Sequence, residues 1–346
     1  MYPIEHLLAL LSRVRTFFIG STSNQSSPSF ARMQNQLLGI HHVTAITGDA
    51  QHNLDFYSGV LGLRLVKRTV NFDDPSSYHL YYGDLAGSPG SLVTFFAWPG
   101  AKPGRAGTGE AVALTFEISE RSLDWWRERL HSFRVAVTEE HRFGSRLLSF
   151  ADPDGMRLEL VGTAGPRDFR HWPHSGIAKD HAISRIHGVT LSVVSVDTSV
   201  PLYTQTLGFT NAIEQPERAR FTVGTSFVDV VSNASARGQM GSGTIHHVAF
   251  RAPDDASQSE WRSKLTQHAV GVSPVMDRKY LHSIYFREPN RVLFEIATDG
   301  PGFAVDEPLE HLGESLMLPA GYEIQRPRLE QMLPQLTLPR VEPATA

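Results

Sequence analysis

The chain has 346 residues, enough for one large domain or two ordinary ones. Its formal net charge of −4, without a basic stripe, argues against a nucleic-acid partner. It has 16 His and no Cys, which excludes disulfides, thiolate metal sites and cysteine nucleophiles. No apolar run reaches the length of a membrane span, so we expect no membrane insertion, and the absence of Cys fits the cytoplasmic protein that we predict.

Residues 1–37 are predicted to form a disordered N-terminal extension. Residues 4–19 are largely apolar, contain Arg13 and Arg15, and precede a Ser-rich stretch, a composition that resembles a weak targeting presequence. A start-site artefact is the third interpretation, because Met33 stands just before the first folded unit. We favour the unstructured extension over the targeting segment.

Four copies of one unit follow. Residues 40–44 (IHHVT) match residues 186–190 (IHGVT), and Tyr57 and Tyr203 keep the same offset. Residues 126–130 likewise match 261–265. Each copy predicts a strand, an amphipathic helix (such as 122–131) and two or three further strands, which is a βαβββ unit. Units 1 to 4 cover about residues 38–100, 110–163, 184–233 and 243–298.

The predicted fold class is α+β, with four βαβββ units forming two paired curved-sheet modules that enclose a cavity. The first module spans 38–163 and the second 184–298, joined by a linker over 164–183. The tail, 299–346, is Pro-rich and is expected to wrap the surface. Exposed sheet edges can pair with a second copy of the chain, so a homo-oligomer is possible.

Two His pairs are the strongest functional signal. Ile-His-His opens a strand-like stretch at 40–42 and again at 245–247. The second His of each pair, His42 or His247, is replaced by Gly188 in unit 3 and Ala113 in unit 2. Because His is the commonest metal ligand, this pattern predicts one metal between units 1 and 4 and a degenerate partner site between units 2 and 3.

A carboxylate in the last strand completes the pattern. Six residues after a Pro stands Glu159 in unit 2 and Glu295 in unit 4. The same count in unit 1 reaches Phe95, and the nearest acid in unit 3 is Asp229. Glu159 and Asp229 have no partner His and are expected to be solvated or ion-paired.

One set of ligands can converge: His42, His247 and Glu295. Two His and one carboxylate on one face bind Fe(II) and leave positions open for substrate and oxygen, and the donors also suit manganese or zinc. Because strand side chains alternate, Thr44 should share the face of His42. His41 and His246 should point away, or lie at the strand edge beside the ligands.

These residues resemble the vicinal oxygen chelate superfamily, and within it the hydroquinone-type ring-cleaving dioxygenases. The resemblance covers about residues 38–320 and is carried by 40–44, 65–73, 78–84, 245–247 and 277–295. It implies an Fe(II) enzyme, with manganese as the alternative, that acts on a small aromatic substrate and O2. It also implies roles around the metal for five residues: His41, Thr44, His246, Arg278 and Tyr285. The aromatic candidates for the cavity wall are Tyr81, Phe95 and Phe294.

Three alternatives stay open. A glyoxalase-type isomerase or lyase usually takes a carboxylate from both paired units, whereas here Phe95 stands at the unit 1 position. A non-enzymatic binding protein of the resistance type needs no metal triad. Catechol-type dioxygenases place their first His in unit 3, where this chain has Gly188.

Overall fold

The computed structural model describes residues 36–164, 168–215, 217–233 and 236–339. The N-terminal extension predicted over 1–37 therefore lies outside the described residues, apart from its last two positions. Leu37, at its end, is buried in the main core. Among the described residues, no helix combines the length and apolar character needed to cross a membrane.

Each predicted unit folds as βαβββ. Unit 1 contains β1 (Ile40–Thr47), α1 (Ala50–Leu54) with a π-helical turn (Asp55–Val60), β2 (Arg64–Val70), β3 (Tyr78–Gly83) and β4 (Leu92–Ala97). Unit 2 contains β5 (Glu110–Ser119), α2 (Leu123–Ser132), β6 (Thr138–Arg142), β7 (Ser145–Ala151) and β8 (Arg157–Thr163). Unit 3 contains β9 (Arg185–Val193), a π-helical turn (Leu202–Thr206), β10 (Thr210–Gln215), β11 (Arg218–Val223) and β12 (Ser226–Ser232). Unit 4 contains β13 (Ile245–Ala252), α3 (Asp255–Gln267), β14 (Met276–Asp277), β15 (Leu281–Arg287) and β16 (Leu293–Pro301). The tail adds α4 (Arg326–Met332).

The strands form two eight-stranded sheets, which confirms the predicted fold class. The first has the order β14-β15-β16-β13-β1-β4-β3-β2 and the second β10-β11-β12-β9-β5-β8-β7-β6. Units 1 and 4 therefore share the first sheet, and units 2 and 3 share the second. The antiparallel pairs β1–β13 and β5–β9 join the units at the two seams. The predicted partnership of units 1 and 4 is confirmed.

The residues that reveal the repeat are core residues. Tyr57, Tyr203, Trp126 and Trp261 are at most 2% exposed. Tyr57 donates a hydrogen bond to Asp152 Oδ2 at 3.0 Å, so the buried hydroxyl is satisfied. The sequence repeat therefore reflects the packing of helices against the sheets, whereas the predicted metal ligands differ between units.

The tail does more than wrap the surface. Phe303 and Leu312 are buried in a small core of their own with Val66, Tyr81 and Tyr280. This part of the tail therefore packs against β2 and β3 and supports the wall of the candidate site.

A buried carboxylate on β5 makes stability depend on pH. Burial alone would raise the pKa of Glu117, but the imidazole of His187, 3.6 Å away, and hydrogen bonds from Arg185 lower it to about 2. This stabilisation is present above the unfolded pKa of about 4.3 and is lost as the pH falls toward the folded value. Glu117→Gln should therefore lower the free energy of unfolding at neutral pH by about 3 kcal/mol. Urea unfolding at several pH values tests this: a deficit that does not shrink in acid contradicts the assignment.

Candidate metal centre

Sheet register brings the three predicted ligands together. Thr44 on β1 lies opposite His247 on β13, and Ala249 on β13 lies opposite Glu295 on β16. The Nε2 atoms of His42 and His247 are 3.3 Å apart. They lie 3.4 and 2.9 Å, respectively, from Oε2 of Glu295.

The donors fit a divalent cation. His42, His247 and Glu295 are at most 5% exposed. Oε2 of Glu295 is buried without a hydrogen bond, whereas Ser283 donates to Oε1 at 2.5 Å. An unsatisfied buried carboxylate oxygen that faces two imidazole nitrogens is costly unless a cation joins them. Burial alone would raise the pKa of Glu295, but the two His lower it well below its usual value, so the carboxylate is ionised.

His41 and His246 contact the ligands instead of pointing away. Nδ1 of His41 is 3.0 Å from Nδ1 of His42, and Nδ1 of His246 is 2.8 Å from Nδ1 of His247. Burial lowers the pKa of both His41 and His246 to about 3, so both rings are neutral acceptors at working pH. With Nε2 of each ligand directed at a metal, its Nδ1–H donates to the neighbouring ring and fixes the ligand's orientation.

His41→Leu is therefore expected to weaken metal affinity about 10- to 100-fold, because the acceptor for His42 is lost. His187, at the equivalent position of unit 3, provides the matched control His187→Leu. Competition with a chelator measures both affinities. Equal affinities in the two variants would mean that His41 does not orient the ligand.

The cavity in front of the ligands is small and partly aromatic, with a volume of about 40 Å³. Tyr81 and Phe96 line it, together with Thr44, Arg278 and Tyr285. The predicted wall residues Phe95 and Phe294 do not, because both are fully buried in the main core, on the other face of the sheet.

The position equivalent to Glu295 in unit 1 is Thr94, not Phe95. Thr94 lies opposite Thr44 in the sheet, just as Glu295 lies opposite Ala249. Its hydroxyl oxygen is 2.8 Å from Oγ1 of Thr44. Unit 1 therefore offers a neutral hydroxyl where a fourth protein ligand would stand.

Arg278 and Tyr285 lie on the opposite side of the cavity. The Arg278 side chain is 17% exposed, forms an ion pair with Asp73 at 3.1 Å and lies 5.7 Å from the Tyr285 ring centroid. Burial raises the pKa of Tyr285, so it remains a phenol. The ion pair between Asp73 and Arg278 joins the β2–β3 loop of unit 1 to unit 4, beside the predicted metal ligands. Sequence reasoning missed Asp73 because its partner lies 205 residues away.

The equivalent place in the second sheet is filled by ion pairs, as expected for Glu159 and Asp229. Arg142 donates to both oxygens of Glu159 at 2.8 and 3.0 Å, and Arg220 donates to both oxygens of Asp229 at 2.6 and 2.9 Å. A Cβ atom at Gly188 would lie 2.4 Å from the Phe227 carbonyl oxygen, so no His fits there. Among the described residues, His42, His247 and Glu295 form the group suited to a metal ion.

The family model of the Glyoxalase/Bleomycin resistance protein/Dioxygenase superfamily matches residues 39–160 and 185–296. The chain belongs to this superfamily, and it is an enzyme of the dioxygenase class within it. The resemblance drawn from the sequence is thus confirmed.

Two curated relatives cover most of the chain. "Putative ring-cleaving dioxygenase MhqO" of Bacillus subtilis is 43% identical over 87% of this chain and 97% of its own length. "Chlorohydroquinone/hydroquinone 1,2-dioxygenase" of Sphingobium indicum is 31% identical over 82% of this chain and 92% of its own. The crystal structure of a "putative dioxygenase" from Bacillus subtilis superposes with a TM-score of 0.84 at 42% identity, covering 88% of this chain and 99% of that one.

Proposed function

We propose that the protein is an Fe(II)-dependent dioxygenase that cleaves the ring of a hydroquinone-type aromatic diol with O2. The observation that carries the proposal is the convergence of three buried ligands, His42, His247 and Glu295, on one cavity. Two His and one carboxylate leave coordination positions for both reactants. The name of the Sphingobium relative supports the substrate class.

The metal, when bound, acts as a Lewis acid that lowers the pKa of a ring hydroxyl and holds the two reactants together. The side chains supply the rest. Thr44 stands beside His42 and can accept a hydrogen bond from the substrate. Arg278 is a permanently charged side chain in the cavity wall, so it can stabilise negative charge that develops on the oxygens of the substrate ring. Tyr285, which lines the cavity, is proposed to hold a substrate oxygen or supply a proton, whereas His246 contacts Nδ1 of His247 and orients that ligand.

Iron is proposed as the resident metal, and the same donor set suits manganese. Arg278 and Asp73, which form an ion pair, both line the cavity, so a diol that enters it is proposed to lie beside this pair. A cytoplasmic location and a homo-oligomer stay predictions.

The isomerase alternative is less well supported. It relies on a carboxylate from both paired units, and Thr94 at the unit 1 position is neutral and hydrogen-bonded to Thr44. A binding protein without a metal leaves the buried oxygen of Glu295 unsatisfied.

Oxygen uptake tests the proposal. Metal-free protein is loaded anaerobically with Fe(II) or Mn(II) and mixed with methylhydroquinone, chlorohydroquinone or catechol. Uptake with a hydroquinone, and much less with catechol, is expected for the iron-loaded protein. Stoichiometric metal binding without uptake on any ring would instead favour the isomerase.

A further inference from the structure

A row of polar side chains crosses the cavity wall toward the metal ligands. Tyr81 on β3 lies opposite Thr94 on β4, and Thr94 lies opposite Thr44 on β1. Thr44 in turn lies opposite His247 on β13. The sheet therefore aligns three hydroxyl groups with a metal ligand.

His79 connects Tyr81 to Thr94 in this row. It stands two residues before Tyr81, on the same face of β3. Its Nδ1 atom is 2.8 Å from the Tyr81 hydroxyl, and its Nε2 atom is 2.9 Å from Oγ1 of Thr94. The ring also packs on Phe96, at 4.5 Å between centroids. Tyr81, His79, Thr94 and Thr44 thus form a continuous hydrogen-bonded series, here named the Tyr81–Thr44 relay.

Every member of the relay can both donate and accept a hydrogen bond, so the series can run in either direction. In one direction Thr44 donates to Thr94, and Thr94 donates to Nε2 of His79. The Nδ1–H of His79 then donates to Tyr81, whose own hydrogen is left free. Burial lowers the pKa of His79 well below its usual value and raises that of Tyr81, so both are neutral.

We propose that the Tyr81–Thr44 relay carries a proton from a substrate hydroxyl beside Thr44 to Tyr81, whose side chain lines the cavity and keeps 5% exposure for its release to water. This inference rests on the proposed function, in which a ring hydroxyl must lose its proton as it binds the metal. The Thr44 oxygen takes that proton and passes its own hydrogen to Thr94, which passes one to Nε2 of His79. Nδ1 then gives its hydrogen to Tyr81, which releases its own to water. One proton crosses, no electron moves, and every side chain ends neutral.

His79 is a positioning residue in this scheme, because it acts on the substrate only through its neighbours. An imidazole takes a proton at one nitrogen and gives one up at the other, which an amide cannot do. His79→Gln therefore keeps hydrogen-bonding groups in place but breaks the transfer, and Thr94→Val cuts the relay at the next link. Thr190→Val is the control for a Thr-to-Val change away from the cavity, because Thr190 holds the position of Thr44 in the second sheet.

With iron-loaded enzyme and methylhydroquinone, we expect kcat to fall about 10²-fold in His79→Gln and Thr94→Val, with KM changed less than about twofold. The solvent deuterium isotope effect on kcat should rise in both, because proton removal becomes limiting. Thr190→Val should match the unmodified enzyme. A lower kcat with an unchanged isotope effect would mean a merely structural role and would overturn the proposal, as would an unchanged kcat.

A second measurement needs no activity. In metal-free protein with nitrogen-15 histidine, the relay predicts a neutral His79 ring across the neutral pH range and an Nε2 signal that shifts in Thr94→Val. The relay is overturned if the His79 ring takes up a proton within the neutral pH range, or if its Nε2 signal does not shift in Thr94→Val. Either result counts against the relay even when the enzyme is active. The expected spectrum in a protein that oxidises no ring overturns the proposed function, and the proton transfer with it.

Discussion

Glu295→Gln is expected to reduce bound iron to a trace and ring cleavage by more than about 10³-fold. Loss of a residue that only orients a ligand costs about 10- to 100-fold in affinity, and loss of a ligand should cost more. The glutamine also removes the negative charge that balances the cation between His42 and His247. Metal content after gel filtration and oxygen uptake at saturating hydroquinone measure the two losses.

Glu159→Gln is the matched control, since Glu159 occupies the equivalent strand position in unit 2. It lies opposite Thr115 on β5 as Glu295 lies opposite Ala249 on β13. The control should lose stability, because Arg142 keeps a buried charge with a weaker partner, yet it should bind iron normally. Full iron occupancy in Glu295→Gln would contradict the assignment of Glu295 as a metal ligand.

Lys67→Met is expected to lower the free energy of unfolding by about 3 kcal/mol, because it leaves the buried carboxylate of Glu307 without its cation. Lys67 is fully buried, and its ammonium lies 2.8 Å from Asp306 and 2.5 Å from Glu307. Those acids hold the start of the tail against β2. The same change should raise KM, because Phe303 in the tail packs on Tyr81 of the cavity wall, at 5.2 Å between ring centroids.

Lys279→Met is the control, because Lys279 also pairs with Asp306 but is 27% exposed. It should cost less than about 1 kcal/mol. Adding Glu307→Gln to Lys67→Met should recover part of the loss, since removal of both charges avoids an unpaired buried group. Chemical unfolding measures all four proteins, and equal losses in Lys67→Met and Lys279→Met would contradict the role of Lys67 in holding the tail against β2.

The sequence was sufficient for the fold because its repeat consists of core residues. Tyr57 and Tyr203, or Trp126 and Trp261, recur at fixed positions since each unit packs its helix on its sheet in the same way. Only units 1 and 4 have the second His of the pair at the repeated position, and this difference between the units led to the predicted triad.

The unit 1 carboxylate position was predicted wrongly, for a local reason. Counting from the Pro assumes equal loops, but β4 begins one residue sooner after Pro89 than β16 does after Pro289. A slip of one residue moves a side chain to the other face of a strand. Phe95 is therefore in the core, and Thr94 faces the cavity.

Ion pairs and hydrogen bonds between residues far apart in the chain could not be predicted from the sequence. Lys67 on a strand reads as a solvated cation, and its partners lie 239 and 240 residues away in the tail. Asp73 and Arg278 likewise become neighbours only when unit 1 meets unit 4. His79 carries a weak signal, its alternation with Tyr81 on β3, but its link to Thr94 depends on strand pairing.

The most direct test of the proposed function is the identity of the product. Iron-loaded protein is given one hydroquinone and O2, and the product is analysed by mass spectrometry while oxygen and peroxide are measured. Ring cleavage predicts one O2 consumed per substrate and a product with the combined mass of the substrate and O2. Formation of a quinone and hydrogen peroxide, or recovery of the unchanged diol, would contradict it.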